Sequence, residues 1–261
     1  MSQHPAVSND LDTATHVQTT IGVPELDPFF DRGLITRIHA KLMSGKEATV
    51  YCCRAHPATR RRFLAAKVYR KHAASAHKWA PEYFQGRERV LKERTIRAIR
   101  AHSAFGKTVA AGLWVDAEYS NLCRLASAGA STPVPVARAG RAILMEFVGN
   151  GAGPAPHLDG VSLDRASAER LWGQIFGDVK LMLREHLVHG DLSPFNILVW
   201  DGDARIIDLP QAVDARFNNA APRLLERDLR NLATFFGRSG LEVDVPRTFV
   251  DLWTRYQRGE L

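Results

Sequence analysis

The sequence predicts an α+β fold in two lobes, the first an antiparallel sheet with a helix and the second mostly helical. Three observations predict it. Short apolar runs of strand composition fill the region before residue 70. A Gly- and Pro-rich stretch, Gly149-Asn150-Gly151-Ala152-Gly153-Pro154-Ala155-Pro156, breaks the chain past its middle. A long apolar face at helical spacing follows it. With 261 residues, 45% hydrophobic and 24% charged, the chain can build a packed core and does not resemble disordered, collagen-like or coiled-coil compositions.

Residues 1–28 are rich in Ser, Thr, Asn, Asp and Gln without a sustained period, which predicts a flexible tail. Residues 29–148 make the first lobe. An alternating stretch from Thr36, then Thr49-Val50-Tyr51-Cys52-Cys53 and Phe63-Leu64-Ala65-Ala66-Lys67-Val68-Tyr69, predict antiparallel strands around a Pro- and Arg-rich connection. Residues 88–101 predict a basic helix with Val90, Leu91, Ile96 and Ile99 as its apolar residues, and residues 116–126 a second helix closed near Gly129. Residues 142–148 form a compact apolar strand at the lobe boundary.

Residues 149–261 make the second lobe. Leu171, Ile175, Val179, Met182 and His186 recur at spacings of four, four, three and four, one face of a helix over residues 168–185. Residues 196–200 and 204–208 flank Asp201-Gly202-Asp203, and Asp-Gly between two apolar runs predicts a hairpin. A last helix is expected over residues 226–236.

The net charge of +7 is unevenly placed. Between Arg54 and Lys107 stand fifteen Lys or Arg against three Glu, a segment of +12, and the rest of the chain carries −5. An anionic partner is expected at that segment. Three cysteines, Cys52, Cys53 and Cys123, make neither a disulfide framework nor a metal set, which predicts a reducing compartment. No apolar run of about 18 residues and no secretion-signal pattern occurs, so no membrane contact and a cytoplasmic location are expected.

The chemistry is concentrated in His189-Gly190-Asp191-Leu192-Ser193-Pro194-Phe195-Asn196, with Asp208 twelve residues after Asn196. An Asp and an Asn on a loop, leading into a hairpin whose second strand ends in another Asp, bring three oxygen-bearing side chains toward one point. Mg²⁺ takes hard oxygen ligands and shares them with phosphates, so a carboxylate and an amide can hold metal while the other carboxylate faces an attacking hydroxyl. That is a phosphoryl-transfer layout.

These residues resemble the catalytic and metal loops of protein-kinase-like enzymes, and the chain as a whole resembles the RIO kinases. The matching pieces run in family order: Ser44-Gly45-Lys46-Glu47-Ala48-Thr49-Val50-Tyr51; Ala66-Lys67-Val68-Tyr69; Trp114 through Glu118 to Asn121-Leu122; Met145-Glu146-Phe147-Val148-Gly149 with Pro154-Ala155-Pro156; Val188 to Ser193 with Asn196; and Ile206-Ile207-Asp208 with Gln211. The resemblance implies a two-lobed protein-kinase-like fold, ATP and Mg²⁺ (or Mn²⁺) as cofactors, and transfer of the γ-phosphate to a serine or threonine hydroxyl of a protein, this chain included. The absence of room for a winged-helix domain before residue 29 points to the first RIO subfamily or a compact bacterial relative.

Residue by residue, the resemblance makes Ser44, Gly45, Lys46, Glu47 and Ala48 the phosphate loop. Lys67 is implied to pair with the α/β phosphates, oriented by Glu118 with Asp116 as the runner-up. Met145, Glu146 and Val148 form the adenine-reading edge, Asp191 is the catalytic Asp, and Asn196 and Asp208 are the metal ligands. His189 supports its loop by hydrogen bonding. Met43 stands where many relatives carry Ser. Gly190 replaces the Arg of conventional H-R-D loops, and Leu209-Pro210-Gln211-Ala212-Val213 stands where those kinases begin a long activation segment. No Ala-Pro-Glu follows, so the peptide-docking platform of conventional kinases is expected to be missing. Two other functions fit the same motifs: an ATPase switch acting on a ribonucleoprotein or ribosomal subunit, with RNA contacting the basic 54–107 segment, and a small-molecule phosphotransferase of the aminoglycoside-kinase type.

Overall fold

A computed structural model of the chain describes residues 22–70, 93–101 and 103–261. Most of the expected tail, residues 71–92 of the basic segment and the start of the expected 88–101 helix lie outside the described residues.

The first lobe is a five-stranded antiparallel sheet of β1 (Ile35–Ser44), β2 (Ala48–Ala55), β3 (Phe63–Tyr69), β4 (Pro135–Ala139) and β5 (Ala142–Glu146), in the order β1-β2-β3-β5-β4. Pro135, which donates no ladder bond, stands first in an edge strand, where it is tolerated. Successive residues of β3 face opposite sides. Leu64, Ala66 and Val68 pack with Ala142 and Leu144 against Val23, Leu26 and Phe29. Those last three correct the tail boundary: Leu26 and Phe29 are both 0% exposed, so the chain is folded before residue 28. A 3₁₀ turn over Pro24–Leu26 and the short helix α1 (Asp27–Asp31) deliver them to the sheet. Polar neighbours had masked three apolar residues spaced by three.

Two helices follow, α2 (Glu93–Arg100) and α3 (Ala104–Ser127). The second begins well before the expected residue 116, where Gly106, Gly112, Thr108 and Val109 weaken the local helix signal. Val115, Leu122 and Leu125 of α3 join Tyr69 and Ile143 of the sheet to the core of the second lobe. This helix therefore couples the lobes and positions Glu118.

The Gly- and Pro-rich connection is a small hairpin of β6 (Gly149–Asn150) and β7 (Gly153–Pro154). Beyond it, α4 (Arg165–Arg184) opens with Asp164 accepting the Ser167 N–H at 2.8 Å, a cap worth about 1 kcal/mol. Leu171, Ile175, Val179 and Met182 are buried as their spacing predicts, each worth about 1.5–3 kcal/mol. The helix stops before His186, which adopts φ 54° and meets the Tyr256 hydroxyl at 3.1 Å instead of extending the apolar face. Strands β8 (Leu187–Val188) and β11 (Val213–Asp214) pair with each other. Between them β9 (Ile197–Trp200) and β10 (Asp203–Ile206) form the expected hairpin, with positive φ at both Asp201 (50°) and Gly202 (82°). The lobe closes with α5 (Ala221–Gly237) and α6 (Val245–Arg258); the last helix was not anticipated, because only Val245 and Leu252 of its residues are buried. Among the described residues no helix is long and apolar enough to cross a membrane.

Candidate active site

Lys67 faces away from the Leu64-Ala66-Val68 side of β3 and toward α3. Its Nζ donates to Glu118 Oε1 at 2.7 Å and to Asp208 Oδ1 at 2.7 Å. Tyr69, two residues along and on the same face, donates its hydroxyl to Glu118 Oε2. Asp116 pairs with Arg138 at 2.5 Å, so Glu118 is the partner of Lys67. Burial pulls the Lys67 ammonium down, but Asp208 and then Glu118 outweigh it and the net shift is upward, keeping the cation. Burial pushes the Glu118 carboxyl up, with Lys67 pulling it back. Asp208 is held at φ 67°, a left-handed conformation that costs a residue with a Cβ about 1–3 kcal/mol and tends to mark functional sites.

The 189–196 loop is clasped from α5. Asp228, 2% exposed, accepts the Gly190 N–H at 2.8 Å and the Leu192 N–H at 3.0 Å. Arg227 donates to the Gly190 carbonyl, and Asn231 Nδ2 to the Leu192 carbonyl at 3.1 Å. Asp191 thus sits between two anchored residues, and Gln211 Nε2 donates to its Oδ2 at 3.2 Å. Gly190 has φ 76°, a conformation in which any side chain at this position would be strained. Asn196 Nδ2 donates to the Asp191 carbonyl at 2.8 Å, leaving Oδ1 as the amide atom for a ligand. His189 Nε2 reaches the Ile207 carbonyl at 3.0 Å, and the Ile207 N–H donates to the Asn196 carbonyl at 2.9 Å, so the loop is tied to the segment that carries Asp208, which lies two residues past the end of β10 and not in the strand as expected. Burial lowers the His189 pKa and favours the neutral ring, in keeping with a supporting role. Burial pushes the Asp228 carboxyl up to about 7, against the pull of the Gly190 and Leu192 N–H groups.

Asp228 was missed from sequence, although the signal was present. Leu224, Leu225 and Leu232 place it at three- and four-residue spacing on the buried face of its helix. An acid on such a face has a polar partner to hold.

Ser44 to Ala48 form the β1–β2 turn, closed by the Gly45 N–H donating to the Ala48 carbonyl at 2.9 Å. Lys46 is exposed and Glu47 half-buried. Arg70, another residue missed from sequence, donates through Nε to the Gly45 carbonyl and through Nη2 to Ser44 Oγ, both at 2.9 Å. On β5, Met145 is half-buried opposite Ala65. The Glu146 N–H donates to the Val134 carbonyl at 2.8 Å, and its carboxylate accepts the Val134 N–H at 3.1 Å. The Val148 carbonyl accepts the Ala155 N–H at 2.9 Å. Part of this edge is therefore committed to the fold.

The donor set fits Mg²⁺ shared with a nucleotide. Asp208 and Asn196 offer one carboxylate and one amide oxygen, and among the described residues no group of three or more His, Cys, Asp or Glu could hold a metal alone. The cradle fits a phosphate as well, since a Cβ on Gly45 would meet only the Ala48 carbonyl oxygen, at 3.6 Å. The fold leaves that side of the loop open.

A RIO domain model matches residues 49–248 of this chain. The chain belongs to the RIO domain family. The serine/threonine-protein kinase RIO1 of Caenorhabditis elegans is 34% identical over 214 residues, 81% of this chain and 39% of its own length. The RIO-type serine/threonine-protein kinase Rio1 of Thermoplasma acidophilum is 32% identical over 184 residues, 70% of this chain and 90% of its own. The chain thus spans well under half of the nematode relative and most of the archaeal one. Among solved structures, the Rio2 kinase of Chaetomium thermophilum in an ADP/Mg²⁺-phosphoaspartate complex superposes with a TM-score of 0.63 at 19% identity, covering 84% of this chain and 61% of that one. That likeness shows the two-lobed α+β fold of a RIO kinase.

Proposed function

We propose that this RIO domain is an ATP- and Mg²⁺-dependent serine/threonine protein kinase acting in the cytoplasm, with its lobes meeting near residue 148. The observation that carries the proposal is Lys67 held at 2.7 Å from both Glu118 and Asp208, beside the anchored Asp191 loop. The Glu146 N–H and Val148 carbonyl are used by the fold, and the Glu146 carbonyl and Val148 N–H would read adenine, with Met145 beside them. On nucleotide binding Lys67 keeps Glu118 and exchanges Asp208 for the α/β phosphates. Ser44 and the loop backbone through Ala48 cover the triphosphate. Asn196 Oδ1 and Asp208 would hold Mg²⁺, which supplies charge neutralisation on the phosphates.

Asp191, oriented by Gln211, accepts the hydroxyl proton as the hydroxyl oxygen bonds to the γ-phosphorus and the bridging P–O bond to ADP breaks. The test is incubation with γ-labelled ATP and Mg²⁺, alone and with candidate acceptors, tracking labelled protein and free phosphate. Labelled protein that disappears in Asp191→Ala supports the reading. A wild type that yields neither labelled protein nor free phosphate overturns it.

A second reading, an ATPase switch on a ribonucleoprotein, is favoured by one surface. Arg37, Arg54 and Phe63 stand opposite one another across β1, β2 and β3. Arg54 and Arg62 lie 5.6 and 5.4 Å from the Phe63 ring centroid, and both are exposed. Cations beside an aromatic ring suit single-stranded RNA. Charge reversal at Arg54 and Arg62 should weaken RNA binding and flatten its salt dependence; an unchanged slope counts against the reading.

A further inference from the structure

The phosphate loop contains a single glycine and its two charged residues, Lys46 and Glu47, cancel. Something other than glycine wrapping or local charge must shape it for an anion. The β2–β3 ladder ends at the Ala48–Tyr69 pair, and Arg70 follows directly. Its backbone N–H donates to the Glu47 carbonyl at 2.9 Å, extending the ladder into the turn. Its side chain hooks back to the Gly45 carbonyl and Ser44 Oγ, both at 2.9 Å. One residue therefore engages Ser44, Gly45 and Glu47, and it engages acceptors only.

The consequence follows from peptide geometry. In a trans peptide the C=O and the N–H of the next residue point in opposite directions. Fixing the Gly45 carbonyl on Arg70 aims the Lys46 N–H away from Arg70, and fixing the Glu47 carbonyl does the same for the Ala48 N–H. A hydroxyl that accepts from a guanidinium keeps its own proton to donate, so Ser44 becomes a donor as well. Thr49 Oγ1 lies 3.4 Å from Ser44 Oγ, a long contact that an anion would outcompete.

We infer that Arg70 is a positioning residue that presents the Lys46 and Ala48 N–H groups and the Ser44 hydroxyl to the phosphates of a nucleotide. This role rests on reading the 44–48 turn as a phosphate site. It acts through the loop and is separate from the Lys67 contact with the same ligand. Because Arg70 is exposed, its grip is modest and its loss leaves the sheet folded.

The test compares wild-type, Arg70→Met and Arg70→Lys full-length chains in ATP turnover, with adenosine as a competing ligand that lacks phosphates. Arg70→Met is expected to raise KM for ATP about tenfold, the effect of losing charged hydrogen bonds, while kcat stays within about twofold. Adenosine inhibition should be unchanged, and Arg70→Lys should recover part of the loss. In the Ser44→Ala background, Arg70→Met should cost less than it does alone, because one of its contacts is already gone. An unchanged KM in Arg70→Met overturns the inference, and so does equal weakening of ATP and adenosine, which would mean a collapsed pocket. A wild-type chain that binds no ATP overturns the phosphate-site reading itself, and that result is visible before any variant is compared.

Discussion

The two loops that would enclose a nucleotide are held in opposite ways. The 189–196 loop is gripped from inside the second lobe by Asp228, 2% exposed, with Arg227 and Asn231 on the same helix. The 44–48 loop is gripped from the surface by Arg70, an exposed side chain at the end of a strand. A buried carboxylate with two N–H partners cannot be removed without stranding those donors, at about 1–3 kcal/mol each, whereas exposed contacts compete with water and cost little. The residue proposed to meet a reacting proton is preorganised. The loop proposed to admit and release a nucleotide is held by bonds that water can replace.

The largest effect expected on this contrast is chemical. Asp191→Ala should lower ATP turnover about 10³-fold while leaving ATP affinity near wild type, because the bonds that anchor its loop run from Asp228, Arg227 and Asn231 to backbone atoms that the substitution leaves in place. Retained turnover would remove Asp191 from the mechanism. The next is structural: Asp228→Ala should lower the unfolding free energy by about 2–4 kcal/mol in chemical denaturation, by stranding the Gly190 and Leu192 N–H groups, and should reduce turnover through the displaced loop. Asp228→Asn, which keeps one acceptor, should recover part of both losses. An Asp228→Ala protein as stable as wild type would mean that the two loops do not differ in the way described.

The sequence discloses Asp191, Asn196 and Asp208 because they lie within one loop and just past the hairpin it leads into, so their proximity is a local property. Lys67 and Glu118 lie 51 residues apart, and only the family pattern joins them; the structure then decides between Glu118 and Asp116 by giving Asp116 to Arg138. Asp228 and Arg70 escape notice for a different reason. Each acts on backbone atoms of a loop far away in sequence, 36 and 38 residues for Asp228 and 25 for Arg70 to Gly45, and backbone partners leave no residue-type signature. The same holds for Val23, Leu26 and Phe29, whose burial depends on a sheet that forms later in the chain. The strands and the Asp-Gly hairpin were legible from local pattern and turn chemistry. The early part of α3 and the whole of α6 were not, since weak helix formers open the first and few apolar residues mark the second.

The pH dependence of the anchored loop gives a smaller and more selective test. The Asp228 carboxyl titrates at about 7 in the fold against 3.8 in an exposed chain, so the folded protein holds a proton that the unfolded chain has lost between those values. A raised carboxyl of this kind contributes its full stability below about 3.8, and that contribution is lost as pH rises toward 7. Wild-type stability relative to Asp228→Asn should therefore fall by about 1 kcal/mol per pH unit from about pH 5 to about pH 7 and level off above it. Burial lowers the His189 pKa, which acts in the other direction, since the unfolded chain takes up that proton first as pH falls. His189 is present in both proteins and cancels in the comparison. A pH-independent difference in urea midpoints would mean that Asp228 stays ionised throughout and that its N–H partners dominate its burial.

The smallest effect belongs to the other loop. Gly45 is not in the left-handed region, and a Cβ there would touch only the Ala48 carbonyl oxygen at an ordinary 3.6 Å, so Gly45→Ala should leave the melting temperature unchanged or raise it slightly by restricting the unfolded chain. The same methyl would stand where a phosphate must approach the backbone, and KM for ATP should rise a few-fold with adenosine inhibition unaffected. A stable Gly45→Ala protein with wild-type KM would show that the turn does not come close to the phosphates. The surface grip of Arg70 would then shape a hairpin and nothing more, and the contrast between the two loops would reduce to one of burial.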